Sequence, residues 1–183
     1  MNNIQVGAVF REIAELMELK GENPYKIKAY EKASRIISGF SEPLSDYVEN
    51  DRLEEIPGIG KGIARIIKEV LGTGKSSLLE DLRDEFPPQI LSLLHIPGLG
   101  AKKASQLYRE LGISSIQELK SAILSGSVAS LKGFGKKTQE NILKGIDLVS
   151  AYEGRLPLGV ILPLTRNLVG KISEIKGVKF ASE

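Results

Sequence analysis

Apolar residues recur at spacings of three and four along most of the chain, and alternating apolar and polar runs are scarce, so the pattern predicts an all-α fold. In the first helix Val6, Val9, Ile13, Leu16 and either Leu19 or Met17 form one stripe, with Arg11, Glu12, Glu15 and Glu18 set among them. A second helix opens at Asn23 and Pro24, a side-chain cap followed by proline at the first helical position. It runs to Ile37, and Gly39 stops it. Pro43, Pro57, Pro87 and Pro97 mark further helix boundaries. Interruptions at Phe86-Pro87-Pro88 and at Gly154 to Pro157 divide the 183 residues into segments 1–86, 87–152 and 153–183.

Three stretches repeat one another: IPGIGKGIARIIKEVL from Ile56, IPGLGAKKASQLYREL from Ile96 and LKGFGKKTQENILKGI from Leu131. Counted from the second glycine of each, position four holds Ala64, Ala104 and Gln139. Position seven holds Ile67, Leu107 and Ile142, and position eleven holds Leu71, Leu111 and Ile146. These positions share one helical face, so each glycine turn opens an amphipathic helix. The third copy departs from the other two by carrying Lys132 where they have Pro57 and Pro97.

A Gly-x-Gly turn leading into a helix lets the backbone approach a partner closely, and the helix start offers unpaired N–H groups at the positive end of the dipole. The glycines are Gly58 and Gly60, Gly98 and Gly100, and Gly133 and Gly135. Lysines follow in each first turn: Lys61, the pair Lys102 and Lys103, and the pair Lys136 and Lys137. Cations there oppose the helix dipole at about 0.3–1 kcal/mol each. The same local rule is broken at three equivalent places, which points to a negatively charged partner, and a phosphodiester supplies it. Net charge is only +2, but residues 1–90 hold 12 basic against 16 acidic side chains while residues 91–150 hold 8 against 4. The second half is therefore where phosphate contact is expected to be strongest.

The turns resemble those of the helix-hairpin-helix family, whose hairpins grip DNA backbone through glycine amides without reading base edges. The order and spacing of NPYKIKAYEKASRII, the first hairpin and the second are similar to the N-terminal part of the bacterial and archaeal family X DNA polymerases. That resemblance implies a small DNA-end-binding domain over 1–86, a duplex-binding domain over 87–152, and the first helix and strand of a palm domain over 153–183. It implies a 5′-phosphate pocket at Tyr25, Lys26, Tyr30 and Lys32, where cations and aromatics interleave. It also implies a Na⁺ or K⁺ ion held by backbone carbonyls of Glu54, Ile56 and Ile59 at the first hairpin, and of Leu94, Ile96 and Leu99 at the second. The palm of that family holds two Mg²⁺ on an Asp-x-Asp pair. No such pair occurs in these residues, so polymerisation by them alone is not expected and Mg²⁺ belongs to a complete palm.

In lyase-proficient relatives a Schiff-base lysine lies in the helix after the first hairpin, and Ile66 occupies that position here, so no catalytic residue is assigned. The alternatives are a 5′-deoxyribose-phosphate lyase using another lysine, and a protein-interaction scaffold. The absence of cysteine excludes disulfides and thiolate sites, and fits a cytoplasmic, nucleoid-associated protein. No apolar run approaches membrane length, and the expected partner is gapped, nicked or 5′-phosphorylated DNA bound by a monomer. GTGKS at Gly72 mimics a phosphate-binding loop, but Glu69 stands where its first glycine belongs and a helix precedes it. His95 lacks a companion ligand, and the acidic run from Glu80 to Glu85 has the spacing of a solvent face.

Overall fold

The computed structural model describes residues 1–152, and the expected palm start at 153–183 lies outside them. Among the described residues the chain is helical: α1 (Asn3–Lys20), α2 (Pro24–Gly39), α3 (Leu44–Glu49), α4 (Lys61–Thr73), α5 (Ser77–Asp84), α6 (Leu91–Leu94), α7 (Ala101–Leu111), α8 (Ile116–Leu124) and α9 (Lys136–Tyr152). No strand occurs among them.

α1 begins with a capping box in which Asn2 accepts from the Gln5 N–H while the Gln5 side chain accepts from Asn2. It ends at Gly21, whose left-handed conformation closes the last turn. Its buried face is Val6, Phe10, Ile13, Ala14, Leu16, Met17 and Leu19, with Val9 half-buried. α2 starts as its sequence predicts, with Asn23 accepting from the Tyr25 N–H and Pro24 first in the helix. It extends through Gly39 rather than stopping short of it, and it terminates at Phe40, where the backbone becomes extended. α1 and α2 approach closely at Gly7, where an added Cβ would lie 2.0 Å from Ser38 Oγ. The Ser34 hydroxyl donates to the Gly7 carbonyl across that contact at 2.7 Å.

One continuous apolar core runs from Val6 to Ile146 and crosses the boundary expected at Phe86. α1 is the element that ties its two halves. On one side Arg83 of α5 donates to both carboxylate oxygens of Glu12, at 2.7 and 2.8 Å. On that side too Lys20 pairs with Glu85, and on the other Arg109 of α7 donates to the Lys20 carbonyl at 3.1 Å. Such exposed ion pairs contribute little each. Burial dominates, at about 1.5–3 kcal/mol for each fully buried Ile, Leu or Phe.

The face shared by the three repeats is visible as burial. Ile67, Leu107 and Ile142 are all fully buried, and Ile146 nearly so. Position eleven then diverges, because α7 ends at Leu111 against the left-handed Gly112 and that leucine is exposed.

Candidate nucleic-acid interface

The three glycine turns have the same backbone. Gly58, Gly98 and Gly133 have φ of 99°, 87° and 90°, a region that a side chain disfavours and that each turn requires. Within each turn one N–H closes back on the residue three before it: Ile59 to Ile56 at 2.9 Å, Leu99 to Ile96 at 3.0 Å, and Phe134 to Leu131 at 3.1 Å. The middle residues Ile59, Leu99 and Phe134 are buried and anchor the turns in the core.

Gly60 and Gly100 cap α4 and α7 in extended conformation, and neither has a side chain that could accept from the first-turn N–H groups. Their carbonyls accept from Ala64 at 2.9 Å and Ala104 at 3.0 Å, as Gly135 does from Gln139 at 3.1 Å. Among the described residues the N–H groups of Lys61 and Gly62, of Ala101 and Lys102, and of Lys136 and Lys137 donate to nothing. They lie at the positive end of each dipole, which suits an oxyanion.

The cations are also uncommitted. Lys20, Lys26, Arg52, Lys68, Arg83 and Lys120 each sit in an ion pair, whereas Lys61, Lys102, Lys103, Lys132, Lys136 and Lys137 have none among the described residues. Lys103 instead lies 5.9 Å from the centroid of the Phe134 ring, which brings the second hairpin against the third. Contact is reciprocal, because Gly145 of α9 faces Pro97 so closely that a Cβ would lie 2.8 Å from its carbonyl oxygen.

The hairpins differ in what surrounds them. Gly98, Gly100, Gly133 and Gly135 face open space. Gly58 does not: a Cβ there would meet Ile36 Cδ1 at 2.5 Å and Lys32 Cε at 3.2 Å, so α2 covers the first turn and carries Lys32 to it.

The four residues expected to form a 5′-phosphate pocket are distributed along α2. Lys32 is at the first hairpin. Tyr30 is half-buried, its ring stacked on Phe10 at 6.0 Å, and burial raises its hydroxyl pKa against the opposing charge of Arg65. Tyr25 is 85% exposed at the start of the helix, next to Lys26, which pairs with Glu22 at 3.6 Å. Arg65, which follows the first hairpin and lies near Tyr30, was not singled out in the sequence because it breaks no local rule there. Ile66 is buried at 3% exposure in α4, and Lys68 is engaged with Asp51 at 2.5 Å. His95 is exposed, and the half-buried Glu15 of α1 has its pKa raised by burial.

The carbonyls implied as cation ligands fit that role unequally. A backbone carbonyl has two lone pairs and is a hard oxygen donor of the kind alkali ions take. At the first two hairpins Ile56 and Ile96 each accept one N–H, and the carbonyls of Ile59 and Leu99 accept none among the described residues. At the third the equivalent carbonyl, of Phe134, accepts from the side-chain amide of Gln139 at 2.6 Å.

This fold and these turns define a helix-hairpin-helix protein. A model of the SAM-like helix-hairpin-helix tandem matches residues 50–112 and 90–147, one of a helix-hairpin-helix domain matches residues 1–76, and the chain belongs to that family. More narrowly, it corresponds to the N-terminal region of the family X DNA polymerases. It is 38% identical to DNA polymerase/3′-5′ exonuclease PolX of Bacillus subtilis (strain 168) over 174 residues, 95% of this chain and 30% of that protein. It is 25% identical to DNA polymerase lambda of Rattus norvegicus over 82% of this chain and 25% of that protein. For DNA polymerase lambda of Arabidopsis thaliana the identity is 24%, over 80% of this chain and 31% of that protein. The chain thus spans about a third or less of the relatives it matches. No helix among the described residues is long and apolar enough to cross a membrane.

Proposed function

We propose that this chain holds DNA by its backbone, without reading sequence, at gaps, nicks or 5′-phosphorylated ends, as the DNA-binding N-terminal part of a family X repair polymerase acting in the cytoplasm. The observation that carries this reading is the threefold coincidence of a glycine turn, unbonded helix-start N–H groups and lysines without acidic partners. Each part is unfavourable or neutral for the isolated chain, and all three become favourable when a phosphate arrives. The second and third hairpins, adjacent and open, take the duplex. Lys32 and the α2 start, with Tyr25, Lys26 and Tyr30, take the 5′-phosphate and its neighbouring base.

The carbonyls of Glu54, Ile56 and Ile59, and of Leu94, Ile96 and Leu99, would hold Na⁺ or K⁺, which neutralises the carbonyl dipoles that face the arriving phosphate. A lyase reading finds no support at Ile66, which is aliphatic and buried. The test is affinity for DNA with a one-nucleotide gap, with and without a 5′-phosphate, across a salt series. Reversing Lys102 and Lys103 should weaken binding equally for all sequences and flatten the slope of log affinity against log salt by about one per lost contact. An unchanged slope removes these lysines from the interface.

A further inference from the structure

We propose that the third hairpin has replaced the alkali cation of the other two with its own side chains, so that it grips phosphate without a bound ion. The inference rests on the DNA-backbone reading above and on the carbonyl sites of the first two hairpins. Its starting point is position four of the repeats. Ala64 and Ala104 occupy that position in the first two hairpins; both are buried, and a methyl group can donate to nothing. Gln139 occupies it in the third, half-buried, with its amide nitrogen 2.6 Å from the Phe134 carbonyl oxygen.

The backbone is not what differs. In all three turns the residue at position four donates its own N–H to the second glycine, and the glycine φ values agree within 12°. The carbonyls of Ile59, Leu99 and Phe134 are therefore equivalent. Two accept no hydrogen bond among the described residues, and the third is filled by the chain itself. An N–H directed at that oxygen takes up a lone pair that is free in the other two turns.

A neutral amide supplies the hydrogen bond but not the charge. That charge has a second source in the same turn. Lys132 stands where the other hairpins have Pro57 and Pro97, and it is exposed and without an ion-pair partner among the described residues. Proline contributes neither charge nor donor, so at this position the first two repeats supply no cation of their own, although Lys32 of α2 reaches the first turn from outside the repeat. Two departures from the repeat, Gln139 and Lys132, thus supply the two things an ion would supply: an electropositive neighbour for the carbonyl and a unit of positive charge for the phosphate. The third hairpin is in this respect a self-contained version of the other two rather than a decayed one.

Thallium(I), which substitutes for K⁺, counts the sites directly by ²⁰⁵Tl NMR on the chain saturated with duplex DNA. The unaltered chain should show two bound ions. Gln139→Ala combined with Lys132→Pro restores the sequence of the first two turns and should show three. Ala104→Gln should show one, and because Ala104 is fully buried, Lys132→Pro alone, at an exposed position and leaving the Gln139 amide on the Phe134 carbonyl, serves as the companion variant and should still show two. In parallel, replacing K⁺ by tetramethylammonium at equal ionic strength should weaken DNA binding more in the Gln139→Ala, Lys132→Pro chain than in the unaltered one, by at least threefold. Three ions in the unaltered chain, or an unchanged count in the double variant, overturns the proposal. No ion at all, with DNA still bound, overturns it together with the carbonyl sites and leaves the backbone-gripping reading intact. Failure to bind DNA in either salt sinks that reading instead.

Discussion

Gly145 sets the distance between the second and third hairpins, and replacing it with alanine separates two opposing effects of known size. An alanine in a helix interior is more stable than a glycine by about 0.5–1 kcal/mol. Against that, the new Cβ would lie 2.8 Å from the Pro97 carbonyl oxygen, 2.9 Å from Ile96 Cγ2 and 3.2 Å from Pro97 Cδ. Backbone and a proline ring cannot rotate away, so α9 must shift from the hairpin, and overpacking of this kind costs about 1–3 kcal/mol. The clash wins, leaving a net loss of about 1–2 kcal/mol. At about 2–4 °C per kcal/mol for a chain of this size, Tm should fall by roughly 2–8 °C. Gly72→Ala in α4 is the control, because it gains the same helix propensity and its Cβ meets nothing within 4 Å. Its Tm should rise by roughly 1–4 °C. Thermal unfolding followed by circular dichroism measures both. If Gly145→Ala also raises Tm, the packing of α9 on Pro97 is not the constraint described.

Borohydride trapping on an incised abasic substrate should yield no adduct with the unaltered chain, because Ile66 is buried and aliphatic; strong trapping abolished by changing one lysine would place a nucleophile elsewhere. Glu118 has its pKa lowered chiefly by the Ser114 N–H that donates to it, so its contribution is present above the ordinary carboxylate pKa and is lost as pH falls through the lowered value. The stability difference between the unaltered chain and Glu118→Gln should therefore shrink on acidification, and a difference constant from neutral pH to below the carboxylate range would contradict this. Gly7→Ala should destabilise by about 1–3 kcal/mol, since the Cβ would sit 2.0 Å from Ser38 Oγ and 3.0 Å from the Ser34 carbonyl. Pairing it with Ser38→Ala should recover part of the loss, and no recovery would locate the strain at Ser34 instead.

The helices were legible because their signals are local. Asn23-Pro24 starts α2 where the residues say it should, and the repeats share the buried positions Ile67, Leu107 and Ile142. The hairpin geometry was equally legible, since a Gly-x-Gly turn before a helix admits few conformations. What the sequence does not carry is the neighbourhood of each turn. Nothing in the first repeat says that Ile36 and Lys32 cover Gly58, because that contact depends on how α2 crosses the hairpin. Tyr30 illustrates the same limit: an aromatic among lysines reads as a stacking platform, and only tertiary packing puts its ring on Phe10. Gln139 was visible as the odd member of its column. Its meaning required the 2.6 Å contact with Phe134.

Three copies of one turn therefore stand in three different surroundings, and the difference comes from what packs against each. In the first, α2 covers Gly58 and brings Lys32 to it, while Gly60 at the helix start, beside Lys61, stays open. In the second, both glycines are open and two lysines follow, the arrangement with least steric restriction. In the third, access is equally open, but the turn carries its own donor and its own charge. Lys103 lies over Phe134 and Gly145 lies against Pro97, so the second and third hairpins pack against each other. The first is linked to them through the shared core and through α1, whose Lys20 carbonyl accepts from Arg109. The proposed reading puts duplex grip and end recognition on parts of the chain with different surroundings: an adjacent, open pair of turns for the phosphate backbone that every DNA shares, and a covered turn beside Lys32 for the feature that distinguishes an end.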